Sequence, residues 1–237
     1  MKAMLLAAGR GERMRPLTDH TPKPLLKVAD KALIVWHIEK LVAAGITELI
    51  INHAHLGAQI ETALGNGHQF GAQITYSPET AALETAGGIA QALPLLDDRC
   101  FAVINSDIYC DYDFNRLPDC AAALHFCDDD AHLILVDNPE HHPDGDFCLT
   151  ANRITSFRTP SVTLHPASCL TFSGIGLYHP RFFSPIPRGS IAPLAPLLRK
   201  SIVKNKVSGE YHSGTWIDVG TPQRLETLDR QLRTTKP

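Results

Sequence analysis

The chain predicts an α/β fold in which a mixed, mostly parallel central sheet is flanked by helices. Three observations carry that expectation. Residues 3–8 (AMLLAA) and 100–105 (CFAVIN) are short, unbroken apolar runs, the pattern of strands buried on both faces of a parallel sheet. Segments with apolar residues at helical spacing fall between such runs, as with Leu33, Ile34, Ile38, Leu41 and Val42. The alternation persists through the first half of 237 residues, a length that suits one domain, 1–237, with a full core. A Rossmann-like sheet of this kind gathers ligands at the carboxyl ends of its strands.

Each element follows in order. The opening run stops at Gly9 and Gly11, and Pro16, Pro22 and Pro24 keep residues 9–24 from forming one helix, so a loop follows the first strand. The first helix ends at Gly45, a good C-terminal stop. Residues 47–52 (TELIIN) read as the second strand, 56–64 as a helix, 72–76 as a strand, 85–93 as a helix and 100–105 as a further buried strand. After Asp107 the pattern changes. Strands at 132–136 and 170–178 flank a loop-rich stretch with His141, His142, Pro143, Asp144, Gly145 and Asp146, so this half is expected to be mixed or antiparallel. Four prolines crowd 185–196, but Leu194, Leu197 and Leu198 suggest a short helix there, and 222–233 reads as a terminal helix.

Composition narrows the function. The hydrophobic fraction is 44% and the charged fraction 20%, close to the globular average, and the net charge is −3. That balance lacks the basic excess of a phosphate-backbone binder, so nucleic acid is not the expected partner. No run approaches the roughly 20 apolar residues of a membrane span, and the short apolar run after Lys2 stops too early, at Arg10, for a signal peptide. The six cysteines show no CxxC and no paired Cys/His spacing, which argues against a zinc site or a disulfide framework and makes a reducing cytoplasm the default. His53/His55 and His141/His142 lack helix-facing metal spacing and read as surface or loop residues. Trp36 and Trp216, each in an apolar run, read as packing residues.

The chemistry concentrates in Leu6-Ala7-Ala8-Gly9-Arg10-Gly11-Glu12-Arg13, followed by Lys23. Glycines let backbone N–H groups approach an anion closely, and Arg13 and Lys23 supply charge-assisted bonds that a triphosphate requires. A dinucleotide fingerprint fits poorly, because Met14 stands at the third glycine position, and the Walker pattern is absent. Both cations are expected to stand partly exposed in an empty cleft. Asp107 directly follows an apolar strand, at the edge where a carboxylate can hold a hard cation against phosphate oxygens; a helix cap or surface turn is the alternative. Asp111 and Asp113 read as surface residues; contact with a metal-bound water is the alternative.

The glycine-arginine block, together with Leu83-Glu84-Thr85-Ala86-Gly87-Gly88 and Asn105-Ser106-Asp107, closely resembles the signatures of the sugar-1-phosphate nucleotidyltransferases. The resemblance extends over nearly the whole chain. It implies a nucleotide-binding half at about 1–110, a sugar-binding half at about 111–237, and Mg²⁺ held by Asp107 and Asp218. Local sequence alone would make Asp218 a turn residue before Gly220. Within the family, stretches such as Ile51-Asn52-His53, Tyr76-Ser77-Pro78-Glu79 and Lys206-Val207-Ser208-Gly209-Glu210 look most like the branch that uses UTP and N-acetylmuramate α-1-phosphate, which implies a role in cell-wall recycling. Guanylyl or thymidylyl transfer to another hexose 1-phosphate, and a noncatalytic sensor on the same fold, are the alternatives.

The resemblance also distributes roles. Leu6, Ala7, Ala8, Gly9, Gly11, Glu12, Arg13, Lys23, Thr85, Gly87 and Gly88 would bind the nucleotide, with Lys23 near the α-phosphate and Arg13 at the departing pyrophosphate. Thr85 is expected to cap its helix while Gly87 and Gly88 leave room for the base. Asn105, Gly145, Asp146, Ser173 and Gly174 would contact the sugar. The Lys-Pro pair of many hexose enzymes is here Thr159-Pro160, which leaves Arg153, Arg158 or neither for the sugar phosphate.

Overall fold

The computed structural model describes residues 1–155 and 168–234. In chain order the first half contains β1 (Ala3–Leu6), β2 (Lys27–Val28), β3 (Lys31–Ala32), α1 (Leu33–Ala43), β4 (Glu48–His53), α2 (Gly57–Leu64), β5 (Gln73–Pro78), α3 (Glu84–Leu96), β6 (Phe101–Asn105) and β7 (Ile108–Cys110). The second half adds α4 (Leu117–Phe126), β8 (Ala131–Val136), β9 (Phe147–Thr150), β10 (Arg153–Thr155), β11 (Ser168–Tyr178), α5 (Leu194–Val203), β12 (Val207–Tyr211), β13 (Trp216–Asp218) and α6 (Pro222–Thr234).

One nine-stranded sheet runs through both halves in the order β5-β4-β1-β6-β11-β8-β12-β10-β9. The strands β5, β4, β1 and β6 are mutually parallel, as the unbroken apolar runs predict. From β11 onward the pairing is mixed: β11 is antiparallel to β6 and β8, and β12 is parallel to β8. Two apolar clusters fill the faces. Leu5, Ile38, Leu41, Ile51, Ile104 and Leu124 sit in one, with α1 and α4. Met4, Ile89, Val103, Leu133, Tyr178 and Leu198 sit in the other, with α3 and α5.

The first half follows its sequence closely. The helix α1 stops where Gly45 takes a left-handed φ of 74° and donates its N–H to the Val42 carbonyl. The proline-rich stretch does yield a helix, but α5 starts only after Pro193, with Pro196 in its first turn, where a missing N–H costs little. After Asp107 the chain also forms α4 and the short strands β7, β9, β10, β12 and β13, none of which the sequence announced. Alanines and Cys120 blur the apolar stripe of α4, and strands of three to five residues carry too few alternations to register.

The disulfide expectation is corrected. Cys148 and Cys169 are register partners across β9 and β11, with Cα atoms 4.0 Å apart, and their sulfurs are bonded. Strand pairing, not spacing, brings them together. The other four cysteines are free.

Candidate active site

Strand order places the site. The carboxyl ends of β1, β4, β5 and β6 line one edge, and the loop after β1 folds across it. A cavity of about 340 Å³ opens there, lined by Leu6, Ala7, Ala8, Gly9, Lys23, Asn52, Glu79, Leu83, Glu84, Thr85, Asn105 and Asp107, among others. A Cβ at Gly9 would meet nothing within 4 Å, so this backbone faces open space. Gly11 acts behind that wall: at φ 68°, it accepts Thr18 Oγ1–H at its carbonyl (2.8 Å). A Cβ there would lie 3.2 Å from Lys23 Cβ, so the glycine lets the loop close over the lysine. Glu12 is exposed and lies outside the cavity.

Lys23 is buried, 7% exposed, with Nζ 2.5 Å from Asp107 Oδ2. The expectation of a partly exposed lysine is therefore corrected: the side chain lies under the loop, held by the carboxylate it partners. Asn52 and Glu79, which sequence reasoning did not single out as site residues, brace the cavity floor. Asn52 accepts the Ala7 N–H (2.9 Å) and donates to Glu79 Oε1 (2.7 Å), while Glu79 Oε2 accepts the Leu83 N–H (2.9 Å). Each stands near the end of a parallel strand, inside a stretch that carried the family resemblance, and neither signal gave it a role.

That brace also changes the account of α3. The cap position is Leu83, not Thr85, and Glu84 holds a left-handed φ of 63°. Thr85 does line the cavity. Gly87 and Gly88 do not; they allow close packing behind it. A Cβ on Gly87 would lie 2.3 Å from the Ser190 carbonyl oxygen, and one on Gly88 would lie 2.6 Å from Glu79 Oε1.

A second cavity of about 370 Å³ adjoins the first and is lined by Arg13, Asn105, Asp107, His141, His142, Asp146, Thr171, Ser173, Trp216 and Asp218, among others. Asn105 and Asp107 belong to both walls. The β7–β13 ribbon sets Asp218 opposite Ile108, and the Val219 N–H bonds the Asp107 carbonyl (2.9 Å), so the two aspartates come from adjacent chain segments. Asp218 Oδ2 accepts from Arg224 Nη1 at 2.7 Å, and His141 Nε2 lies 3.6 Å from the same oxygen. A Cβ on Gly220 would lie 2.4 Å from Arg224 Nη2 and 3.1 Å from Arg13 Nη2, so that glycine admits both guanidiniums. Among the described residues, Arg13 alone of the three loop arginines makes no ion pair; Arg10 faces Glu12 and Arg15 faces Asp19.

The remaining expectations sort plainly. Asp146 lines the second cavity, accepting the Phe172 N–H (2.8 Å) and facing His142 (3.1 Å). A register shift in β11 between Phe172 and Gly176 turns the Ser173 carbonyl toward Trp216 Nε1 (2.8 Å). Trp216 therefore packs and also walls the cavity. Gly145, in a loop, and Gly174, at the irregularity in β11, both take positive φ, and Cβ atoms there would strike Asn138 and Asn105; neither lines the cavity. Of the alternatives left for the sugar phosphate, Arg153 instead grips Asp129 with both terminal guanidinium nitrogens (2.7 and 3.0 Å) and lines neither cavity. Arg158, Thr159 and Pro160 lie outside the described residues. Asp113 caps a turn through the Asn115 N–H (3.0 Å). Asp111 meets His212 (2.8 Å); burial opposes its ionisation, but the Thr215 backbone and His212 hold its carboxyl below the usual range.

Two carboxylates on neighbouring segments offer hard oxygen donors only, the set that suits Mg²⁺, which commonly takes one or two carboxylates and completes its shell with water and phosphate. Lys23 and Arg224, each on one of these carboxylates, occupy positions where positive charge is already favoured. The residues fit the ion.

An α/β sheet that ends in an anion-ready loop and adds a second polar cavity across a shared carboxylate belongs to the class of proteins that bring two phosphorylated substrates together. The chain belongs to the nucleotidyl transferase family, whose model matches residues 2–145, and within it to the sugar-1-phosphate nucleotidyltransferases. It is 56% identical over 229 residues, 95% of this chain and 96% of the other, to the N-acetylmuramate α-1-phosphate uridylyltransferase of Neisseria meningitidis serogroup B. The enzyme of that name from Caulobacter vibrioides is 34% identical over 97% of this chain and 96% of its own. Among solved structures, a Bacillus anthracis chain assigned as a glucose-1-phosphate thymidylyltransferase superposes with a TM-score of 0.84 over 100% of this chain and 97% of its own, at 23% identity, a likeness of fold.

Proposed function

We propose that the protein transfers UMP from UTP to N-acetylmuramate α-1-phosphate, releasing pyrophosphate and forming UDP-N-acetylmuramate, in cell-wall recycling in the cytoplasm. The observation that carries this reading is the pair of cavities meeting at Asn105 and Asp107, one built by the parallel half and one by the mixed half. Near full-length similarity to the Neisseria uridylyltransferase supports the choice of substrates. No helix among the described residues is long and apolar enough to cross a membrane.

The attacking sugar-phosphate oxygen is already an anion, so no side chain has to remove a proton. The work is to hold two polyanions in line and offset their repulsion. Asp107 and Asp218 would hold Mg²⁺, which when bound neutralises phosphate charge and polarises the phosphorus under attack. Lys23, fixed by Asp107, presents its ammonium at the junction of the cavities, where the α-phosphate must lie. As the sugar-phosphate oxygen bonds to that phosphorus, the bond to the β-phosphate breaks and pyrophosphate leaves with the electron pair. Arg13, free of any carboxylate, supplies charge to the phosphates. The Leu83–Thr85 turn, braced by Glu79, offers its backbone to the base. On the acceptor side, His141, His142 and Asp146 line the second cavity, and Arg224, which reaches both His141 and Asp218, brings a positive charge beside it.

Pyrophosphate release across four nucleoside triphosphates and several sugar 1-phosphates tests the reading. UTP with N-acetylmuramate 1-phosphate is expected to give a kcat/KM at least about tenfold above that with N-acetylglucosamine 1-phosphate or glucose 1-phosphate, a difference of about 1.4 kcal/mol. Equal or better use of glucose 1-phosphate or mannose 1-phosphate removes the muramate assignment.

A further inference from the structure

Between α4 and the sheet, away from both cavities, Cys120 Sγ, a ring nitrogen of His132 and a carboxylate oxygen of Glu210 all lie within 4.8 Å of one another. Three elements supply them: α4 gives Cys120, β8 gives His132 and β12 gives Glu210. Because β12 runs parallel to β8 with Ser208 beside His132, Glu210 falls two residues further along the neighbouring strand. Sequence reasoning looked for close Cys/His spacing and argued against zinc; here the donors are dispersed along the chain and only the fold assembles them.

The deciding atom is His132 Nε2. It is sealed from solvent and has no hydrogen-bond partner, whereas Nδ1 lies 3.0 Å from Ser208 Oγ. A buried polar nitrogen left unpaired is costly, and most such atoms in folded proteins find a partner. With Nδ1–H donating to Ser208, Nε2 keeps its lone pair unused, the tautomer a metal-bound imidazole takes when its second nitrogen is held by an outer hydrogen bond. Burial also lowers the His132 pKa, which keeps the ring neutral.

We propose that Cys120, His132 and Glu210 form a zinc-binding site, with water as the fourth ligand. Sulfur, nitrogen and oxygen donors together select zinc over magnesium. Bonds of about 2.0 to 2.3 Å in a tetrahedron set ligands about 3.5 Å apart, so a contraction of about an ångström closes the site. The Cys120 proton passes to solvent as the metal enters, and thiolate and carboxylate then balance the dication. Glu210 is already oriented: Tyr112 OH donates to Oε1 (2.5 Å) and Arg116 Nη2 to Oε2 (2.6 Å), and each oxygen retains a further lone pair. Bound zinc ties α4 to β8 and β12 and, through Tyr112, to the segment that follows β7.

The test is a Co²⁺ titration of the chelator-treated full-length protein. A sulfur-to-cobalt charge-transfer band that saturates at one equivalent and is abolished by one equivalent of Zn²⁺ is expected. A divalent ion at Asp107 and Asp218 gives no such band, so the reading is independent of the proposed activity. Cys120→Ala removes the band. Glu210→Gln, which keeps an acceptor for Tyr112 and so preserves the fold, weakens Zn²⁺ binding at least about 100-fold, while nucleotidyl transfer stays unchanged in both. A second cluster, Cys100, His125 and His179, is the built-in control. Absence of the band, its survival in Cys120→Ala, its loss in Cys100→Ala, or unaltered Zn²⁺ affinity in Glu210→Gln overturns the proposal.

Discussion

Asp107 is the residue on which the site turns, because its carboxylate faces both cavities and also holds Lys23. Asp107→Asn keeps the shape and removes the charge, so kcat is expected to fall at least about 100-fold while UTP binding, measured by calorimetry, falls far less. Near-wild-type kcat at saturating Mg²⁺ would remove Asp107 from the metal. The two cations separate differently. Arg13 is exposed and unpaired, so Arg13→Ala is expected to lose turnover with an unchanged Tm. Lys23 is buried against a carboxylate, so Lys23→Ala loses turnover and also lowers Tm. Equal melting temperatures for the two variants would contradict the placement of Lys23. Of these residues, Arg13, Lys23 and Asp107 were legible because a glycine loop and a strand end are local patterns. Asn52, Glu79, His141 and Arg224 were not, because each acquires its place only when distant strands and α6 meet.

At the scale of elements, α3 shows how packing sets the cavity wall. Gly87 N–H bonds the Ala192 carbonyl (3.0 Å), and Ala192 N–H bonds the Leu83 carbonyl (3.0 Å), so the start of α3 is stitched to the chain before α5. A Cβ at Gly87 meets backbone there, which cannot swing aside as a side chain can. Gly87→Ala is expected to destabilise the protein by about 1 to 3 kcal/mol in chemical denaturation, the range for overpacking a close contact, and to raise KM for UTP by shifting the Leu83–Thr85 turn. Unchanged stability would mean that the stitch is looser than its geometry. The sequence pointed to these glycines but not to the packing they permit, since a pair of glycines looks the same whether it clears space for a ligand or for a neighbouring loop and side chains. The parallel strands were readable because burial on both faces leaves an unbroken apolar run. The mixed half was harder: β9 and β10 have four and three residues, and their partners are fixed by pairing with β11 and β12.

For the whole molecule, His37 couples stability to pH. It sits on α1, fully buried, with Nε2 2.8 Å from the carbonyl oxygen of Ile108, the first residue of β7, and its ring stacked on Phe114. Nδ1 is buried without a partner. Burial lowers the His37 pKa from 6.5 to about 4, because the charged ring would lose water and face the nearby Lys40. The unfolded chain therefore binds this proton more readily than the folded one. The stabilising contribution is fully present above about pH 7, declines as pH falls below the unfolded value, and is lost once pH passes the folded value. A gap of about 2.5 pH units corresponds to about 3 kcal/mol. His37→Gln abolishes the titration, so between about pH 7 and pH 4 the unfolding free energy of the wild type is expected to drop by about 3 kcal/mol more than that of the variant, measured by urea denaturation. Because the bond to Ile108 joins α1 to the strand immediately after Asp107, the same acid transition is expected to reach the site, with transfer activity declining in parallel with folded fraction. Parallel pH slopes for the wild type and His37→Gln would show that other groups set the acid limit.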